Sequence, residues 1–246
     1  MRGLLSASLL VILTLIIPGQ ARAEAFEGVI DLRLFMEGGS GDLKLAIAGQ
    51  RSRLDMKLNM NPLPQPIQLS VLLDAKTPKH MWLVNDNLKT YSTIGLASQA
   101  PVDTAISEKY VLKVLGKEKI LGYNCTHLTL SRPRELIDAW ITQDLPDVYV
   151  VLRRLQEANP QFGDLTAFQA LEAAGKAGLP MKMIVVRDGQ RVNTEVKRIE
   201  KKKMPPALFA VPADYKKTEG GMGGLQPTPE QIEQMKKLIQ GALEGQ

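Results

Sequence analysis

An α+β fold is what this sequence predicts: a long antiparallel sheet with a helical pair inserted between its strands and a further helix at the C-terminal end. Three observations carry it. Apolar and polar residues alternate through three consecutive runs near the N-terminal end, the signature of strands with one buried face. The period changes to that of a helix at about residues 146–177. Alternation then returns at Met181–Val186 and Val192–Ile199, so the helices interrupt the strands rather than follow them.

In the first run Phe26, Gly28, Ile30, Leu32, Leu34 and Met36 alternate with Glu27, Val29, Asp31 and Arg33. Glu37-Gly38-Gly39-Ser40-Gly41 reads as the turn, with glycines for unusual backbone angles. Leu43, Leu45 and Ile47 form the second run, and Leu54, Met56, Leu58 and Met60 the third, across a turn at Gly49-Gln50. Three prolines between Asn61 and Pro66 end the pattern, because proline cannot donate to a ladder. Strands resume at Leu69–Asp74, His80–Asn85 and Lys89–Ile94, and Ser98–Thr104 reads as an irregular excursion. Tyr110–Leu115 then leads through Gly116 and Gly122 into Tyr123–Leu130, and Ile137–Thr142 follows. Val148, Val151, Leu152 and Leu155 share one face of a helix over Pro146–Ala158. Asp164 is placed to cap a second helix carrying Phe168 and Leu171, which Gly175 and Gly178 end. Asp188-Gly189 turns the last hairpin, and Leu208–Pro212 closes the sheet domain.

The first 23 residues read as a signal peptide. A basic Met1-Arg2 start, an apolar run from Gly3 to Ile17, and Ala21-Arg22-Ala23 before the cut give a mature chain beginning at Glu24. The run is shorter than the roughly 20 residues that span a bilayer, and no cysteine follows it to take a lipid. The expected location is therefore periplasmic or secreted, in soluble form. Domain organisation follows: a sheet domain over 24–217, a Gly/Pro linker over 218–227, and an amphipathic helix over 228–244. In that helix Thr228, Pro229 and Gln231 resemble a capped start, and Ile232, Met235, Leu238, Ile239, Ala242 and Leu243 form the apolar stripe. It docks on its own domain, or on a partner or membrane surface.

The formal charge of +5 falls to about +3 once Arg2 and Arg22 leave with the signal. This is no nucleic-acid-binding field. The cluster Lys197-Arg198 and Lys201–Lys203 reads as a solvated strand end, with contact to an anionic surface as the alternative. The single cysteine, Cys125, cannot form an internal disulfide. It is a core residue, a partner disulfide or a reactive thiol. Cys125 and His127 lie two apart on one strand and share a face, yet a soft metal site needs at least one more ligand, which only His80 offers. Asp144 and Asp147 flank Pro146, where acidic residues suit a helix start. No G-x-S-x-G, H-E-x-x-H, C-x-x-C or phosphate loop is present. We therefore assign no catalytic residue, metal site or cofactor. Trp82, Trp140, Met56 and Met183 lie on strands and are the candidates for lining an apolar cavity, with plain core packing as the alternative.

Gly116–His127, Trp140–Leu145, Phe26–Ile30 and Leu208–Tyr215 together resemble the domain of unknown function 4412 family of exported bacterial proteins. That family is similar in pattern to the LolA/LolB-like lipoprotein-carrier superfamily. The resemblance implies a strongly curved, unclosed half-barrel whose concave face is covered by helices. In carriers that cavity holds acyl chains. The expected function is thus non-enzymatic binding of a lipid or acylated protein in the concave face. The alternatives are an envelope protein that contacts partners through a sheet edge or the C-terminal helix, and an enzyme centred on Cys125, His127 and His80.

Overall fold

A computed structural model describes residues 25–74, 76–77, 80–95, 109–158 and 165–218. The leader, the 98–104 excursion, the Asp164 cap, the linker from Gly220 and the C-terminal helix expected above lie outside these residues.

The chain walks outward through six strands, β1 (Glu27–Met36), β2 (Gly39–Ala48), β3 (Arg51–Met60), β4 (Ile67–Asp74), β5 (His80–Asn85) and β6 (Thr90–Gly95). It then starts again at the far edge with β7 (Val111–Ile120), β8 (Tyr123–Arg132) and β9 (Glu135–Thr142). Helices α1 (Pro146–Ala158) and α2 (Leu165–Ala173) follow, and β10 (Leu179–Arg187) and β11 (Gln190–Lys201) bring the chain back beside β1. A 3-10 turn at Pro206–Phe209 leads to the short β12 (Lys216–Lys217). The strands form a single 12-stranded sheet in the order β12-β6-β5-β4-β3-β2-β1-β11-β10-β9-β8-β7. Every pairing is antiparallel except β12 with β6.

The sheet is curved and does not close into a barrel, and the helical pair sits where the change of period placed it. Connectivity favours the curvature. The chain from Gly95 to Lys109 reaches about 50 Å at most, which is roughly ten strand spacings laid flat. Ten spacings separate β6 from β7, so a flat sheet would leave this connection no slack.

Two turn expectations need correction. Glu37 and Gly38 alone make the first turn, and Gly39 and Gly41 lie inside β2. Their role is close approach: a Cβ on Gly39 would stand 2.6 Å from the Asn59 carbonyl oxygen, and one on Gly41 2.6 Å from Leu58 Cδ2. Likewise Gly116 is within β7, beside a register shift between Val114 and Gly116, and the turn is at Leu121-Gly122. A glycine next to a bulge does not have to end its strand.

The core has three parts. The largest joins Phe26, Ile30, Leu45, Ile47, Cys125, Trp140, Leu179 and Met181 to Leu145 and Val148, with Val151, Leu152 and Leu155 of α1 packed against them. The helical stripe read from the sequence is therefore the face that seats α1. A second part gathers Met56, Leu69, Val71, Leu73, Met81 and Leu83 from β3–β5, and Leu155 reaches it too. In the third, Ala167 and Leu171 of α2 pack on Leu128, Leu130, Ile137, Ala139 and Ile141. The acidic residues flanking Pro146 act as tethers. Asp147 accepts the Phe26 amide at 3.1 Å, and Asp144 the Asn124 amide at 3.2 Å. On the side of β3 opposite Met56, Arg53 donates to Asp55 (2.6 Å), Ser70 (3.0 Å), Asp86 (3.2 Å) and the Leu208 carbonyl (3.4 Å). That network fastens the closing segment to the sheet. The basic cluster at the end of β11 is met by acids: Lys197 by Glu195, Arg198 by Asp31, Lys202 by Glu200 and Lys203 by Glu27.

Candidate functional site

An apolar wall on β1–β3 emerges from the strand register. Leu32 stands opposite Leu43, which stands opposite Met56. Gly41 lies between Leu34 and Leu58, and Gly39 between Met36 and Met60. Residues paired across a ladder share a face, so Leu32, Leu34, Met36, Leu43, Leu58 and Met60 line one surface. All six are half-buried, whereas Met56, on the same face opposite Leu43, is only 4% exposed. The two glycines let Leu58 and Met60 lie low across the strand between them, leaving a shallow apolar surface. Leu155 of α1 packs against the same cluster as Leu43 and Leu58.

The four residues nominated from the sequence are not brought together. Met56 shares the face of this wall and belongs to the cluster on which Leu43 and Leu58 pack, and Met183 packs in the α2 cluster. Trp82 pairs with Leu72 and Thr93, on the face of β5 opposite Met81 and Leu83. Trp140 is 9% exposed and belongs to the main core. It stacks on His127 with centroids 4.0 Å apart and 8° between planes, and Lys182 Nζ lies 4.5 Å from its centroid. Its Nε1 donates to Glu118 at 2.7 Å, and His127 Nε2 lies 2.7 Å from Asp138 Oδ1. The leucines and methionines of the wall carried only the general alternation signal, which marks a buried face but not which end of it stays open.

Nor do Cys125, His127 and His80 form a centre. Seven strands lie between β5, which carries His80, and β8, which carries the other two. Cys125 is 2% exposed, its Sγ is 3.6 Å from the Tyr123 carbonyl oxygen, and burial raises its thiol pKa, which keeps it protonated. Among the described residues no three His, Cys, Asp or Glu side chains gather closely enough to hold a metal ion.

One carboxylate is held with care at the other end of the sheet. Glu135 is buried and receives the Tyr110 hydroxyl at 2.6 Å, Arg132 Nε at 2.7 Å and Arg187 Nε at 2.9 Å. Burial alone would raise its pKa, but the bonds from Tyr110, Arg187 and Arg132 outweigh it and hold the carboxyl below its ordinary value. Beside it, Ser131, Arg134, Leu136, Val186, Asp188 and Gly189 help enclose an open hollow of about 520 Å³ between two hairpin turns. The site is a clamp: it fixes the β8–β9 turn to β10.

Residues 26–215 match the family described as Domain of unknown function (DUF4412). The chain belongs to the DUF4412 family. This is the family that the glycine, aromatic and closing motifs had resembled. No curated protein matches the sequence. Among solved structures, an uncharacterized conserved protein from Thermus thermophilus is similar at 8% identity and a TM-score of 0.43, covering 78% of this chain and 90% of that one. MucB in complex with MucA(peri) is similar at 10% identity and a TM-score of 0.40, covering 78% and 56%. A putative outer membrane lipoprotein-sorting protein domain from Vibrio parahaemolyticus is similar at 12% identity and 0.34, covering 76% and 90%. In this DUF4412 member no helix among the described residues is long and apolar enough to cross a membrane.

Proposed function

We propose that this protein is a non-enzymatic, exported binding protein that takes a hydrophobic group, the acyl chain of a lipid or of an acylated protein, against the wall on β1–β3. The observation that carries the reading is the row of half-buried leucines and methionines on one face of β1–β3, whose Leu43 and Leu58 pack on the same cluster as Leu155 of α1. Methionine and leucine adapt to flexible apolar guests. The signal-peptide pattern at residues 1–23 supports a periplasmic site of action. The buried, weakly acidic thiol of Cys125 supports the absence of nucleophilic chemistry there.

Burying about eight methylenes on such a wall contributes roughly 6 kcal/mol, which corresponds to a Kd of about 40 μM. The test is titration of the mature protein with a fluorescent C16 fatty acid, together with native mass spectrometry after incubation with membrane extract. Saturable binding in that range, weakened about tenfold by Leu43→Glu through loss of apolar contact and the cost of burying a carboxylate, is the expected result. Absence of any bound mass, or binding indifferent to Leu43→Glu and Leu58→Glu, overturns the reading.

A further inference from the structure

The two edges of the sheet are treated differently. The chain caps one edge itself, by laying β12 against β6. At the other edge, among the described residues, β7 pairs with β8 alone, so about half the N–H and C=O groups of a ten-residue strand are left for a further partner. Along β7, Val111 is 67% exposed, Val114 49% and Leu115 46%. Lys109, Lys113, Lys117 and Lys119 are also exposed. The residues opposite the last three in β8 are Thr129, Thr126 and Asn124, none of them acidic. Glu118, the acid on this strand, has its carboxylate committed to the Trp140 indole.

Lysines on an edge oppose pairing with another copy of the same edge. Antiparallel self-pairing centred on Glu118 would set Lys117 of each copy against Lys119 of the other on one face, and like charges directly opposite are destabilising. The same lysines attract a strand of opposite charge. We propose that β7 is a docking edge for an extended acidic segment of another protein, added as a further antiparallel strand. Its backbone pairs with β7 and its carboxylates meet Lys117 and Lys119, which share a face with Val114; Lys113 and Val111, across the register shift between Val114 and Gly116, lie on the other face.

The probe is a fluorescein-labelled peptide, Glu-Val-Glu-Thr-Glu-Val-Glu-Thr-Glu, titrated into the mature protein at low salt and followed by anisotropy and amide hydrogen exchange. Saturable binding is expected, weakened about tenfold or more when Lys replaces every Glu of the peptide and again as salt screens the charges. Exchange should slow within residues 111–120. The variant K117E/K119E changes only exposed side chains on one face of β7. It should lose the acidic peptide and gain the lysine peptide, a positive readout that confirms it is folded. Equal affinity of the acidic peptide for this variant overturns the proposal, as does protection confined to other strands. Protection of β7 by phosphatidylglycerol vesicles but not by the peptide also overturns it and makes the edge a membrane contact.

Discussion

Replacing Glu135 with Gln tests how the far end of the sheet is held. The side chain is 2% exposed, whereas Arg132 is 19% and Arg187 47% exposed. Glutamine keeps the shape and one acceptor but removes the charge that both guanidinium groups and the Tyr110 hydroxyl address. Breaking a fully buried ion pair costs about 3–5 kcal/mol. Arg187 can turn to water, and the amide still accepts one bond, so we place the loss near 3 kcal/mol. In a domain of this size that lowers Tm by roughly 6–12 °C. Glu135 has a folded pKa below its unfolded one, so its stabilisation is present above the unfolded value and is lost as pH falls through the folded value. The gap in Tm between wild type and Glu135→Gln should therefore be full at pH 7 and shrink steadily below about pH 4. Thermal denaturation followed by circular dichroism from pH 7 to pH 3 reads both quantities. A pH-independent gap, or a Tm change under about 2 °C at pH 7, would refute the reasoning.

Gly178→Ala should be costly, about 2–3 kcal/mol, because its Cβ would stand 2.2 Å from the Thr142 carbonyl oxygen. Gly41→Ala meets only the end of the flexible Leu58 side chain and should cost markedly less; urea denaturation of the two variants gives the comparison. Arg53→Met strips Asp55, Ser70 and Asp86 of a shared donor and frees the Leu208 carbonyl, for a loss of about 2–3 kcal/mol. Limited proteolysis near residues 205–215 should then quicken, and an unchanged cleavage rate would count against the tether. Cys125 should react with an aromatic disulfide reagent only as fast as the protein unfolds, given its burial and raised thiol pKa; rapid labelling of native protein would contradict that placement.

Much of the fold was legible. Local alternation marks strands wherever one face is buried, and β1, β3 and β11 show it plainly because Leu32, Leu34, Leu54, Met56 and Val196 must avoid water while their neighbours meet it. The α1 stripe was legible for the same reason at a different period. The glycines were read less well. Gly39, Gly41 and Gly116 carry the composition of turns, yet they sit within strands, where a missing side chain serves close packing or a bulge. The site was harder still. Trp82, Trp140, Met56 and Met183 are conspicuous residues on strands, but a strand assignment does not say which face or which cluster each one joins. In the folded chain they are dispersed among two core clusters, the α2 cluster and the opposite face of β5.

By itself the sequence determined the succession of strands and helices within the described sheet domain, and the family, since these rest on neighbours along the chain and on short local motifs. Only the tertiary structure decided that β11 returns to β1, that β12 caps one sheet edge while the other has no further strand among the described residues, and that Leu34, Leu43, Leu58 and Met60 share one face. Those facts depend on register and strand order between segments far apart in sequence, and register is settled by the whole set of pairings at once rather than by any residue in it.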